Sequence, residues 1–252
     1  MNDPYDFTVI TACRNSAVTL ASCIDSVKNQ LGVKVQHVIY DCVSADATSK
    51  ILASEARPSL IAIIEPDNGL YEAWNKAIPH ATGEWIIFLG ADDVFSSDTV
   101  LSEVLKQIKK YSLKKLFYGR VRKETLDGNL IGLYGEDFSN YENKYDPPTI
   151  KFPPHPACFF HCSLFDDFPL FDEGFKICAD SLHIGTIIKV ISPEFVPITI
   201  TNFRIGGLSN SRKNALLKWR EKLLITQRLD YYVPYFLLIK SLLRAIINQI
   251  RG

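Results

Sequence analysis

The segment Glu84–Phe95, EWIIFLGADDVF, runs through five apolar residues, Trp85 to Leu89, and two steps later sets Asp92 beside Asp93. Adjacent carboxylates repel one another, so a pair at the end of a buried strand needs open solvent or a cation. A hard divalent ion, Mg²⁺ or Mn²⁺, takes oxygen ligands and is usually held by one or two carboxylates plus the phosphates of a substrate. Through such an ion a protein without net positive charge can bind a diphosphate. The plainer alternative is an acidic cluster ahead of a helix starting near Ser97, where negative charge suits the helix macrodipole.

The elements that must position this pair follow from hydrophobic periodicity. Phe7–Ala12, Val35–Tyr40, Leu60–Ile64 and Trp85–Leu89 read as buried strands. Between them lie helix-like stretches: Ser16–Val27, Asp46–Ala56 capped by Asp46 and ended by Pro58, and Tyr71–Ile78. After the fourth strand, Ser97 or Asp98 caps a helix with Val100, Leu101, Val104, Leu105 and Ile108 on one face. This alternation predicts an α/β fold, a mainly parallel sheet flanked by helices, whose ligands bind beyond the carboxyl ends of the strands. The loops to watch are therefore Thr11–Asn15, Asp41–Asp46, Glu65–Gly69 and Gly90–Asp93. Further on, Leu116–Val121 and Leu130–Tyr134 predict an antiparallel hairpin around Asp127-Gly128. Asn140–Pro156 reads as a long loop, and Ala215–Arg228 and Tyr235–Arg251 as helices.

Composition narrows the classes. A chain of 252 residues, 47% hydrophobic and 22% charged, has ample material for a core and is not disordered. Lys+Arg and Asp+Glu balance at 28 each, which excludes a whole-chain field for nucleic acid. Six scattered cysteines form no CxxC pair, and Cys158-x3-Cys162 has no second pair to complete a metal site, so reduced thiols and a cytoplasmic location are expected. The first residues, MNDPYDFTVITAC, have no basic stretch followed by an apolar run, unlike a signal peptide.

The run Glu65–Asp93, EPDNGLYEAWNKAIPHATGEWIIFLGADD, resembles the segment leading into the Asp-x-Asp-type motif of family 2 glycosyltransferases of the GT-A fold. TVITACRNSAVTLASCIDSVKNQ is similar to that family's first strand and helix, and IYDCVSADATSKIL to its second loop. HPACFFHCSLFDDFPLFDEGFKICAD and NFRIGGLSNS resemble its acceptor-side half, so the likeness covers about residues 6–225. It implies a glycosyltransferase domain over 1–225, with a nucleotide-sugar half (1–112) and an acceptor half (113–225), then a helical tail (226–252). The implied reaction is inverting, metal-dependent transfer of a sugar from a nucleotide diphosphate sugar to a hydroxyl, in bacterial surface-polysaccharide synthesis.

On the same resemblance, Thr11, Arg14, Asp41, Asp67, Lys76 and Asp92 contact the nucleotide sugar, and Asp93 ligates Mn²⁺ or Mg²⁺. At Asp41 a carboxylate accepting from an imide N–H suits uracil, hence a UDP-sugar donor. His155 lines the acceptor site, and Asp180 in KICADSL takes the acceptor's proton as general base. Each residue also has an ordinary structural use: Asp41, Asp46 and Asp67 in turns, Lys76 on a solvated helix face, His155 packed beside Phe159, Asp180 as the N-cap of a helix over Ser181–Ile188. Departures from the family pattern are Leu182 where a second acid is common, Cys42 and Ala47 where glycines are common, and Gly90 where Asp or Asn often precedes the pair.

Residues 229–250, LDYYVPYFLLIKSLLRAIINQI, are the most apolar of the chain. Their longest uncharged run, Tyr231–Ile239, is too short to span a bilayer. Three placements suit this tail: a membrane interface, a second copy of the chain, or its own domain. The first implies a lipid-linked saccharide as acceptor. Rival readings are a non-catalytic nucleotide-sugar-binding scaffold and a sugar-phosphate nucleotidyltransferase. The second normally has a Gly-rich basic loop after its first strand, and TACRNSAVTL has no glycine.

Overall fold

The structure, a computed structural model, describes residues 5–125, 127–140, 145–146, 148–205 and 212–250. The chain begins β1 (Phe7–Cys13), α1 (Leu20–Lys28), β2 (Val35–Asp41), α2 (Thr48–Ser54), β3 (Leu60–Ile64), α3 (Leu70–Ala77), β4 (Trp85–Phe88), β5 (Val94–Phe95) and α4 (Val100–Lys110). It continues β6 (Leu116–Glu124), β7 (Leu130–Tyr134), β8 (Tyr145–Asp146), β9 (Thr149–Ile150), β10 (Cys158–His161), α5 (Leu164–Asp167) and α6 (Ala179–Ile188). It closes with β11 (Glu194–Arg204), α7 (Ala215–Arg228) and α8 (Tyr235–Ile250).

One nine-stranded sheet carries the fold, in the order β3-β2-β1-β4-β10-β6-β11-β5 with β7 added on β6. The β3-β2-β1-β4 portion is wholly parallel, and β10 enters antiparallel between β4 and β6. β11 then runs parallel to β6, with β5 antiparallel at its far side. The apolar run at β4 lacks alternation because both faces are covered. Trp85 and Ile87 point into a cluster with α1 and α4, Ile86 and Phe88 into a second one with α3 and α6.

The halves expected at 1–112 and 113–225 share one sheet: β10 lies between β4 and β6, and β5 pairs with β11. Five residues separate β4 from β5 in the chain, yet four strand-to-strand steps separate them in the sheet. A flat sheet would need almost the whole extended reach of that segment, which contains a turn closed from Asp93 N to the Gly90 carbonyl, so the sheet curls. The expectation for Asp180 needs correction: it is not an N-cap, since Cys178 holds that position and Asp180 lies in the first turn of α6.

α1 begins at Leu20, after a turn in which the Ser16 carbonyl accepts from the Thr19 and Leu20 N–H groups. Asp46 is not the N-cap of α2, a position that Ala47 holds; one residue earlier, its Oδ1 accepts from Thr48 N at 3.0 Å in the turn that leads into the helix. The hairpin of β6 and β7 forms as predicted. The Gly206-Gly207 segment, and 141–144 and 147 of the expected Asn140–Pro156 loop, lie outside the described residues. All six cysteines are free thiols. α8 packs along α7, with Trp219 Nε1 donating to Ser241 Oγ at 2.8 Å. No helix among the described residues is long and apolar enough to cross a membrane.

Candidate active site

Strand order reverses between β1 and β4, which places a crevice beyond their carboxyl ends. Asp92 and Asp93 stand there, on the turn that leaves β4. The Asp93 N–H donates to the Gly90 carbonyl at 3.0 Å, closing the turn. Asp93 is 2% exposed, and its Oδ1 accepts from the backbone N–H of Arg204 at 3.0 Å. Burial, then the Asp92 charge beside it, raises the Asp93 pKa to about 8. Burial raises that of half-buried Asp92 as well, against the pull of Arg204.

Both shifts say the same thing: this turn holds more negative charge than its own surroundings stabilise. A hard dication answers that imbalance, so the donor set fits Mn²⁺ or Mg²⁺. Among the described residues no group of three or more His, Cys, Asp or Glu side chains assembles. An ion here would therefore draw its remaining oxygens from water or a bound phosphate.

Gly90 explains its own departure from the family pattern. A Cβ there would lie 2.7 Å from Asp93 Oδ2 and 2.9 Å from Asp92 Oδ1, because both carboxylates fold over it. Gly90→Ala should leave the fold intact and weaken metal-stimulated activity, because the added methyl must displace one of the two carboxylates. Unchanged metal dependence by titration calorimetry and turnover would show that the carboxylates need not sit so close.

Four predicted residues lie on, or bond to, the loops at the carboxyl ends of the strands. Arg14 is exposed just beyond β1 and has no ion-pair partner among the described residues. Asp67 is half-buried and caps its own turn, Oδ1 accepting from Gly69 N at 2.9 Å. Lys76 pairs with Glu72 at 2.7 Å, donates to the Pro66 carbonyl at 3.1 Å and sits 5.9 Å from the Tyr40 ring centroid. That pairing raises the Lys76 pKa and lowers that of Glu72 to about 2. Asp92 completes the group.

Three others turn inward. Thr11 is fully buried, its Oγ1 bonded to His37 Nε2 at 3.0 Å, so its side chain serves the sheet instead of a nucleotide. Asp41 is also fully buried: Oδ2 accepts from Ser44 N at 3.1 Å, and Oδ1 accepts from the Ser44 hydroxyl and from Cys13 Sγ. Its carboxylate shapes the second loop, whose next turn is strained enough to hold Val43 at φ +45°. His155 is 5% exposed, packed 5.0 Å from the Trp74 ring and 5.3 Å from that of Phe88. Burial drops its pKa to about 3, the behaviour of a neutral core histidine, not of a group facing a polar acceptor.

Asp180 comes from α6, in the second half of the chain. Its Oδ1 accepts from Tyr71 Oη at 3.3 Å and from Ser181 N at 2.7 Å, and burial raises its pKa. Tyr71 belongs to α3, so this bond ties the helix after the third loop to the base candidate. Asn75 Nδ2 adds a bond to the Phe171 carbonyl at 2.8 Å, and Lys176 Nζ one to that of Asn68 at 3.3 Å. Leu182, where the family often has an acid, packs against the core.

Glu221 was not anticipated. Buried on α7, it accepts backbone N–H bonds from Lys176 (2.7 Å), Ile177 (3.0 Å) and Cys178 (2.9 Å), the residues that lead into Asp180. Its sequence signal was an acid one helical turn from Ile225, on the buried face. Glu221→Gln should cost about 1–3 kcal/mol, since an amide leaves buried N–H donors without acceptors. Thermal melting reads that loss, and kcat should fall while donor KM holds. Arg204 and Tyr71 were also missed. Arg204 is delivered by β11, and its Nε lies 3.8 Å from buried Glu124.

Comparison with known proteins agrees with this fold. The chain is 26% identical over 211 residues to a PGL/p-HBAD biosynthesis glycosyltransferase of Mycobacterium bovis, covering 81% of this chain and 79% of that one. Over 95 residues it is 39% identical to the succinoglycan biosynthesis protein ExoO of Rhizobium meliloti, 37% of this chain and 27% of that one. Among solved structures, S. aureus TarS 1-349 superposes with a TM-score of 0.67 at 16% identity, covering 98% of this chain and 72% of that one. The mannosyltransferase PcManGT of Pyrobaculum calidifontis gives 0.66 at 19% identity, covering 97% and 69%. Both likenesses show the GT-A fold. The sequence profile of Glycosyl transferase family 2 matches residues 8–170, and the chain belongs to that family.

Proposed function

We propose that this glycosyltransferase moves a sugar from a UDP-sugar, with inversion, to a hydroxyl of a saccharide or lipid-linked saccharide in bacterial glycoconjugate synthesis. The observation that carries the reading is the contrast between two acidic sites of unlike surroundings. In the first, Asp92 and Asp93 are crowded and short of positive charge. In the second, Asp180 is aimed by Tyr71 and held by the segment that Glu221 clamps.

Mn²⁺ or Mg²⁺ bound at Asp92 and Asp93 would supply charge to a departing diphosphate without a proton donor. Arg204, whose charge already acts on both aspartates, adds to that field. Arg14, Asp67 and Lys76 line the donor side. Asp180 accepts the proton of the attacking hydroxyl, and its raised pKa makes it a stronger base than a free carboxylate. Support for the donor class comes from TarS, solved with UDP and with UDP-GlcNAc; support for the ion comes from PcManGT, solved with GDP-Man and Mn²⁺. Six free thiols suit a reducing cytoplasm.

A panel of nucleotide sugars screened by thermal shift with Mn²⁺ tests this directly. A UDP-sugar should raise Tm, and EDTA should cancel the gain. Stabilisation by GDP-sugars alone would overturn the uridine assignment. A chain that binds donor and neither transfers nor hydrolyses it would be a scaffold.

A further inference from the structure

The C-terminal helices carry a second site, beside the first. Between Arg212 and Ile250 the sequence has eight Lys or Arg against two acids, in a chain whose charges balance overall. One of those acids, Glu221, is buried and occupied with backbone N–H groups. A groove of about 360 Å³ runs between α7 and α8, and Lys218, Lys222, Lys240 and Arg244 line it beside Trp219. No acid lines it. On the outer side of α8 lies a wider, shallow groove along Phe236, Ile239, Leu243 and Ile247, a stripe at helical spacing. Phe236, Ile239 and Leu243 are 68%, 61% and 56% exposed. The two grooves share Lys240, Arg244 and Asn248.

A basic slot that opens onto an apolar stripe matches an anionic amphiphile: phosphate in the slot, hydrocarbon along the stripe. We propose that α7 and α8 dock this protein on an anionic lipid bilayer, α8 lying in the interface with Lys240 and Arg244 at phosphate level. Long basic side chains reach the headgroups while their stems cover apolar surface. A second copy of the chain fits poorly, because a two-fold contact through this stripe would bring the same cations face to face. The surface adjoins the chemistry: the Lys218 charge acts on Asp180 across the α6–α7 contact. On the glycosyl-transfer reading, an acceptor hydroxyl reaching Asp180 therefore belongs to a lipid-linked saccharide held at the bilayer.

Flotation of the full chain with vesicles tests the docking without reference to catalysis. Vesicles of phosphatidylcholine containing phosphatidylglycerol should carry the protein, whereas phosphatidylcholine alone or high salt should leave it behind. Lys240→Gln with Arg244→Gln should weaken partitioning about 30-fold, taking about 1 kcal/mol per cation near the surface. Ile239→Ser with Leu243→Ser should weaken it at least as much. Circular dichroism should show all variants folded, and hydrolysis of UDP-sugar in vesicle-free buffer should be unchanged. Equal flotation with neutral and anionic vesicles, or full binding by either variant, overturns the proposal. So does a concentration-dependent dimer that Ile239→Ser with Leu243→Ser dissociates. Vesicle binding by a chain inert toward every nucleotide sugar would instead sink the catalytic reading and leave the docking surface standing.

Discussion

Asp93→Asn should lower transfer by on the order of 10²–10³-fold, about 3–4 kcal/mol of transition-state stabilisation, with turnover no longer responsive to Mn²⁺. Asparagine matches the shape of aspartate and keeps an oxygen for the Arg204 N–H, so the fold should survive. The same variant should change how stability depends on pH. In the ion-free protein the Asp93 pKa is about 8, above the 3.8 of an ordinary aspartate. Between those values the folded chain binds more protons than the unfolded one, so stability falls as pH rises from the lower to the upper. Asp93→Asn removes that group and flattens the slope. Added Mn²⁺ should stabilise the wild type more at pH 8 than at pH 6, since the ion displaces the proton, and should leave the variant unmoved. Thermal melts across pH, with and without ion, read all of this. Chelator-sensitive turnover surviving in the variant would remove the pair from the chemistry.

Asp180→Asn should lower kcat by roughly 10²–10⁴-fold, the usual contribution of a positioned base, with little change in donor KM. The raised pKa of Asp180 also sets the acid limb of the rate profile. Tyr71→Phe removes a hydrogen bond that favours the charged carboxylate, so that limb should move to higher pH. Activity of this variant should then be lost more at pH 6 than at pH 8, a pattern that simple destabilisation does not produce. A fully active Asp180→Asn, or an acid limb that Tyr71→Phe leaves in place, would assign the proton to another acceptor.

Much of this was legible in one dimension. The four parallel strands, the loops at their carboxyl ends and the acidic turn after Trp85–Phe88 each rest on a local pattern, and all appear in the fold. The Asp92-Asp93 pair came from residue types within a short run and Asp180 from the family resemblance, and burial raises the pKa of both Asp93 and Asp180. Thr11, Asp41 and His155 read equally well as ligand contacts. Their true surroundings are His37 on the next strand, Ser44 and Cys13 around a turn, and the rings of Trp74, Phe88, Phe160 and Phe171. Nothing within a few residues of each reports most of those neighbours.

The chain order of apolar runs and acids determined the class of fold, the parallel half of the sheet and the place of the carboxylate pair, because period, turn chemistry and charge repulsion act between near neighbours. Only the folded chain decided that β5 crosses to β11, that Tyr71 meets Asp180, that Glu221 gathers three N–H groups 43 to 45 positions away, and that two basic helices lie alongside one another. Those are contacts between segments distant in sequence, selected by how the sheet curls and which helix faces remain to be covered, and no local pattern encodes them.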